Sequence, residues 1–260
     1  MEKRKEIESI YHSLVERERQ KLGREEFERK YSNRKYYSIT KRSQDFLEKW
    51  IKRNCNEKVV LDYGCGTGGV SLHVAKYAKF VYGIDIAEER IKTASENLNS
   101  SPYKNKVNFL VMDAERMTFP NEMFDIVICA GVLHHLNRDY AYPEIARVLK
   151  PNGKMIAIEP LGYNPLIQYY RRKTPHLRTK WEIHHILKMK DVKDAMKYFE
   201  QLECLKFFHL FTLMAVPFRK SIFFNPFLNF LNMLDEVFLN IPLIQLLSWQ
   251  MIFVLSKPRR

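Results

Sequence analysis

From residue 58 onward the hydrophobic residues arrive in short runs, KVVLDY, KFVYGID, VNFLVMD, FDIVICAG and GKMIAIEP, each apolar on both alternating faces. Runs of that length fit strands buried on two sides. The stretches between them, among them AEERIKTASENLN and AYPEIARVLK, repeat apolar positions at helical spacing. Strand and helix in alternation predict parallel βαβ units and an α/β domain whose sheet is covered on both faces. Pro151, Asn152 and Gly153 are expected to stop a helix and turn the chain into the fifth strand. LECLKFFHL and SWQMIFVLS read as two further strands, and residues 211–247 between them form an apolar insertion.

Upstream, residues 1–30 mix charges of both signs with sparse apolar positions and read as one or two solvated helices. In residues 31–51, Ile39, Phe46, Leu47, Trp50 and Ile51 fall on one helical face, so a helix leads into the first strand. The expected organisation is an N-terminal helical extension or lid (1–50), a ligand-binding core (51–160), and a substrate-side segment with the last two strands and the insertion (161–260). All three belong to one domain, which suits a chain of 260 residues.

Charge adds a constraint on partners. Lys and Arg number 43 against 30 Asp and Glu, a formal net charge of +13, which favours an anionic partner: nucleic acid, a membrane surface or a phosphorylated substrate. A hydrophobic fraction of 46% excludes wholesale disorder. Cys55, Cys65, Cys129 and Cys204 form no CxxC pair and the first residues show no apolar leader, so a reducing cytoplasm is expected. The charge-free run 237–256 approaches membrane length, but Asn240, Pro242, Gln245, Ser248 and Gln250 make a spanning helix costly. Peripheral contact with the inner face of a membrane stays open.

The candidate chemistry centres on DYGCGTGG, which follows the first strand. Gly64, Gly66 and Gly69 satisfy GxGxxG, and Gly64, Gly66 and Gly68 satisfy GxGxG, so the glycines alone do not separate a dinucleotide from S-adenosylmethionine. The acids discriminate. Asp62, just before the loop, would oppose a pyrophosphate and favour the amino group of a methionine moiety. Asp85 ends the second strand, where a carboxylate can accept from ribose hydroxyls under either reading. Asp113 ends the third strand, where it can accept from an adenine amine.

Together, Asp62 to Gly68, Asp85, Asp113-Ala114 and the FDIVICAGVLHHL segment resemble a class I S-adenosylmethionine-dependent methyltransferase of the small-molecule type. The resemblance covers residues 31–160. It implies a Rossmann-like, doubly wound, mostly parallel seven-stranded sheet with an antiparallel C-terminal hairpin. It also implies S-adenosyl-L-methionine as cofactor, with methionine contacts from Asp62, Gly64, Cys65, Gly66 and Gly68, ribose contacts from Asp85 beside Ile86, and adenine contacts from Asp113 and Ala114. Ala130 and Gly131 match the segment that lies along the cofactor, and Tyr36 and Tyr37 resemble the N-terminal lid.

His134 and His135 follow the fourth strand, where open α/β sheets place reactive groups, and are candidate general bases. Glu159, ending the fifth strand, is the next candidate. Arg171, Arg172 and Arg178, in a segment that resembles a methyltransferase subgroup with an NP…YRR…TP…RT pattern, suit a phosphate or carboxylate. His185, with His184, is read as lining the acceptor pocket. No metal is expected, because no acid or cysteine completes a set with His176, His184 and His185. The insertion carries too many large apolar groups for a surface loop and reads as a pocket roof, a membrane contact or a plain core or dimer interface. The expected activity is methylation of a small or lipid-like acceptor on oxygen. The alternatives are a nucleic-acid methyltransferase, against which stands the lack of an Asn/Asp-Pro-Pro-aromatic or Pro-Cys box, an NAD oxidoreductase, and a non-catalytic cofactor-binding protein.

Overall fold

A computed structural model of the chain describes residues 2–260, with Arg24 described in its backbone alone. The chain begins with helices α1 (Lys3–Lys21) and α2 (Arg24–Lys30), a 3-10 segment (Ser32–Ile39) and α3 (Lys41–Asn54). There follow β1 (Val59–Tyr63), α4 (Gly69–Val74), β2 (Phe80–Asp85), α5 (Glu88–Asn99), β3 (Val107–Val111), β4 (Phe124–Ala130), α6 (Arg138–Val148) and β5 (Leu149–Pro160). Helices α7 (Pro165–Lys173), α8 (Lys180–His185) and α9 (Met189–Ala195) lead to β6 (Phe199–Phe208). A 3-10 segment (Phe211–Phe218) and α10 (Phe224–Phe238) then precede β7 (Gln250–Pro258).

The seven strands form one sheet of order β3-β2-β1-β4-β5-β7-β6. The first five are parallel, and β7 runs antiparallel to both β5 and β6. All seven runs read from the sequence are strands, and the C-terminal pair is the antiparallel hairpin. The period-two pattern explains why. In β1, Leu61 packs in one core and Val60 in the other; in β4, Val127 and Cys129 face the first, Ile126 and Ile128 the second. In β7, Met251 and Phe253 oppose Ile252 and Val254 in the same way. Helices α6 and α9 cover one face, α3, α4 and α5 the other. Each fully buried large aliphatic contributes roughly 1.5–3 kcal/mol, so the double-sided core fixes the strand register.

One boundary differs from expectation. Strand β5 starts at Leu149, before the Pro151-Asn152-Gly153 turn: Leu149 pairs with Phe124, then the register jumps to Lys154 opposite Ile126. The turn residues are therefore accommodated as a bulge inside the strand, which spares a proline from the ladder.

The insertion builds a small third core. Ala215, Val216, Leu228 and Leu231 pack with Ile39, joined by Tyr36, Phe211, Leu213 and Trp249. The cluster thus joins the insertion to the N-terminal 3-10 segment, and Tyr36, Phe211, Leu213 and Trp249 of it line a cavity.

Candidate functional site

A cavity of about 950 Å³ opens at the carboxyl ends of the parallel strands. Its floor is the β1–α4 loop edge, the end of β2 and the segment after β4: Gly64, Asp85, Ile86, Asp113, Ala114, Ala130 and Gly131 all line it. Two glycines near this floor hold backbone conformations that side chains rarely adopt. Gly66 and Gly131 have φ of +54° and +70°, and a Cβ built on either meets nothing within 4 Å. Their backbone is bared to open space, the arrangement needed for close approach of a ligand.

The acids are arranged in support. Asp85 is buried and accepts from the backbone N–H of Gly66 at 3.0 Å and of Ala87 at 2.9 Å, so it ties the glycine loop to the start of α5. Asp62 is buried behind the loop and accepts from Ser71 Oγ at 2.6 Å; it does not line the cavity. Burial pushes its carboxyl up to about 7 against the Ser71 hydrogen bonds, with Asp85 adding to the rise. Cys65, Gly66 and Gly68 likewise are not among the residues that line the cavity. Asp113 accepts from the Glu115 N–H at 2.9 Å and from Lys5 Nζ at 2.8 Å.

Lys5 belongs to α1, and that helix is the feature sequence reasoning missed. Arg4, Lys5, Glu8, Tyr11, His12 and Val15 line the cavity. Arg4 binds both oxygens of buried Glu115 at 2.6 Å and donates to the His135 carbonyl at 3.0 Å. Glu8 accepts from His135 Nδ1 at 3.0 Å and from the Thr179 hydroxyl, and lies 3.3 Å from His12 Nε2. The helix thus closes one wall, within the segment 1–50 read as a helical extension or lid, in which the resemblance singles out Tyr36 and Tyr37. Both tyrosines do line the cavity, and Tyr36 packs edge-on to Tyr170.

His134 and His135 lie side by side, ring centroids 4.1 Å apart, on the cavity wall. Glu159 sits beneath them with no exposed surface. Its Oε1 accepts from the N–H groups of Val132 and Leu133 at 2.8 Å, and its Oε2 accepts from His134 Nδ1 at 2.7 Å. Glu159 does not reach the cavity, so its place is that of a positioning residue. Because a carboxylate can only accept, Nδ1 of His134 carries the proton and Nε2 is the ring nitrogen with a lone pair. Glu8, His12 and His135 also bring ligand-type atoms within 4.8 Å of one another, a grouping unlike the His176, His184, His185 set considered from the sequence.

A further part of the wall comes from the segment after β5. Asn164 caps α7 by accepting from the Leu166 and Ile167 N–H groups, which sets Tyr170 and Arg171 against the cavity. Arg171 and Arg178 are buried and line it; Arg172 is exposed and does not. His185 is also displaced from the expected pocket. Its ring stacks on Trp181 at 3.5 Å, its Nδ1 donates to the Trp181 carbonyl at 2.8 Å, and it lines a separate cavity of about 380 Å³ with Arg138 and Asp191. The helical i,i+4 spacing of Trp181 and His185 accounts for that stacking.

This sheet order, with a glycine loop after the first strand and acids at the next two strand ends, is the class I methyltransferase fold. Residues 61–157 match the family described as a methyltransferase domain. A sterol 4-C-methyltransferase of Caenorhabditis elegans is 30% identical over 127 residues, covering 48% of this chain and 36% of that protein. An uncharacterized protein of Methanocaldococcus jannaschii is 34% identical over 192 residues, covering 69% of this chain and 63% of that protein. The fold is also that of geranyl diphosphate C-methyltransferase from Streptomyces coelicolor, solved with Mg²⁺, geranyl diphosphate and S-adenosyl-L-homocysteine. The TM-score is 0.59 at 12% identity, with 83% of this chain and 77% of that one covered. The matches to the first three curated relatives span only 36% to 41% of those proteins' length.

Proposed function

We propose that the chain is an S-adenosylmethionine-dependent methyltransferase that acts on a small, lipid-like acceptor and methylates it on oxygen, in the cytoplasm at the inner face of a membrane. One observation carries this reading: the bared glycine edge and Asp85 share a single cavity with a wall built from Ile167, Tyr170, Leu213 and Trp249. The donor set fits the cofactor. Asp85 and Asp113 suit the ribose and adenine, and the backbone at Gly64 and Gly131, which lines the cavity, suits the methionine moiety. When bound, S-adenosylmethionine supplies a methyl group already activated on a sulfonium.

The chain's own residues then hold the acceptor in line, exclude water and move one proton. His134 is oriented by Glu159, and its Nε2 accepts the proton that an acceptor hydroxyl must lose. The sterol and geranyl diphosphate enzymes above support the lipid-like acceptor; they methylate carbon, so the oxygen assignment stands on His134. The exposed apolar residues of α10 support contact with a membrane.

Calorimetry with S-adenosylhomocysteine, then incubation with methyl-labelled cofactor and separate lipid and aqueous cell fractions, tests each part. Binding, with label entering the lipid fraction as an O-methyl product, is expected. No S-adenosylhomocysteine binding would remove the cofactor assignment. Label confined to the aqueous fraction would remove the lipid-like acceptor, and a C-methyl product would remove oxygen.

A further inference from the structure

We propose that the acceptor carries an anionic head group, a carboxylate or a phosphate, and that Arg171 receives it inside the cavity. This rests on the methyltransferase reading above and adds the acceptor's charge and the residue that selects it. Arg171 is only 5% exposed, lines the cavity, and has its Nη1 buried without a hydrogen-bond partner. Burial lowers its guanidinium to about 10, still fully charged near neutral pH. A buried cation lacking a partner is strongly unfavourable, and proteins keep one where a ligand completes the pair.

The neighbouring Arg178 marks the contrast. Its Nη1 donates to the Thr174 carbonyl at 2.8 Å, the Thr174 hydroxyl at 3.0 Å and the Arg171 carbonyl at 3.2 Å. Its Nε faces Glu182 at 3.4 Å. Arg178 is therefore occupied in holding the turn after α7 and is paired with Glu182, whose charge also supports Arg171, while the Nη1 of Arg171 is left without a hydrogen-bond partner on this wall. A guanidinium receives carboxylate or phosphate oxygens through paired N–H groups. Ile167, Leu177, Leu213 and Trp249 line the same cavity, so the anion is attached to an apolar body that also bears the hydroxyl to be methylated: a hydroxylated fatty acid or a hydroxylated alkyl or isoprenoid phosphate.

The test uses the full chain saturated with S-adenosylhomocysteine and titrated by calorimetry with dodecanoate, dodecyl phosphate and neutral dodecanol, each as monomer. The better of the two anions is expected to bind roughly tenfold or more tightly than the alcohol, and which one does identifies the head group. Arg171→Gln should erase that preference while keeping alcohol and S-adenosylhomocysteine affinity; Arg171→Lys should restore part of it, and Arg172→Gln should keep it whole. Equal binding of alcohol and anions by the wild type, a comparison that needs no variant to fold, would overturn the proposal. So would an Arg171→Gln protein that keeps the preference, or one that loses S-adenosylhomocysteine instead, which would assign Arg171 to the cofactor's carboxylate. A wild type that fails to bind S-adenosylhomocysteine at all fails the methyltransferase reading, a separate result from any of these.

Discussion

Glu159 takes three hydrogens on two oxygens, from Val132 N, Leu133 N and His134 Nδ1, at a point fully shielded from water. An isosteric amide cannot repeat this. In Glu159→Gln, one side of the group must present an N–H to a donor, either at the backbone pair or at the histidine. Turned toward the histidine, it drives the ring to its other tautomer and places the proton on Nε2. The expected result is a kcat lower by roughly 10²–10⁴-fold with little change in KM or S-adenosylhomocysteine affinity, because only proton acceptance is lost. His134→Gln should cost as much, and the double variant no more than either. Steady-state kinetics on the methylated product decide it; near-normal kcat in His134→Gln would remove His134 as the base.

At the scale of elements, α1 is held over the cavity by polar contacts, and these titrate. Burial works against a charged His135, but the hydrogen bond and charge of Glu8, aided by Glu182 and opposed by Arg90, raise its pKa above the ordinary value. Burial also works against a charged Glu8, yet its bonds to His12 and His135 bring its pKa well below the carboxylate range. His12 is driven the other way, to about 3, by burial and Arg90. The raised His135 contributes fully below the free-histidine value near 6.5 and loses its contribution as pH climbs through its docked pKa. The depressed His12 adds nothing above that value and opposes docking increasingly as pH falls toward 3. Docking of α1 should therefore be tightest near the free-histidine value of 6.5 and weaken on both sides. Amide exchange of α1 across that range is the measurement, and Glu8→Gln should flatten the alkaline limb.

The same helix shows where sequence reading stops. The strands were legible because period-two apolar runs admit one solution, two covered faces. Helix α1 inverts the usual pattern: Ile7, Ile10 and Leu14 are exposed while Glu8 and Glu16 are buried. Amphipathic analysis cannot see a helix whose inner face is polar, and Glu8 meets a histidine 127 positions away. Asp85 was legible from its place at the end of the second strand and Gly131 through the family resemblance, whereas the displacement of His185 required knowing that Trp181 would stack on it.

For the whole molecule, the unresolved balance is between a net charge of +13 and an apolar surface concentrated on the insertion. Among the described residues no helix is long and apolar enough to cross a membrane. Yet Ile222 and Leu243 are 87% and 76% exposed, and Phe223, Phe230, Met233 and Val237 add an outward stripe along α10, beside exposed Arg219 and Lys220. The inner side of that insertion packs against Tyr36 and Trp249, and exposed Met214 lines the cavity itself, so the apolar surface continues into the site. Such a face fits shallow insertion into a bilayer, with cations drawn to anionic lipid at about 1 kcal/mol each. Sedimentation with phosphatidylglycerol-containing vesicles should pull the protein down, less so in high salt and less on neutral vesicles. Removing one exposed Phe from the interface costs on the order of 1.5–3 kcal/mol. Phe223→Asp or Phe230→Asp should then reduce vesicle binding roughly tenfold or more while leaving the thermal midpoint close to that of the wild type. If those variants bind vesicles as the wild type does, the acceptor reaches the cavity from water, and the stripe is no part of its route.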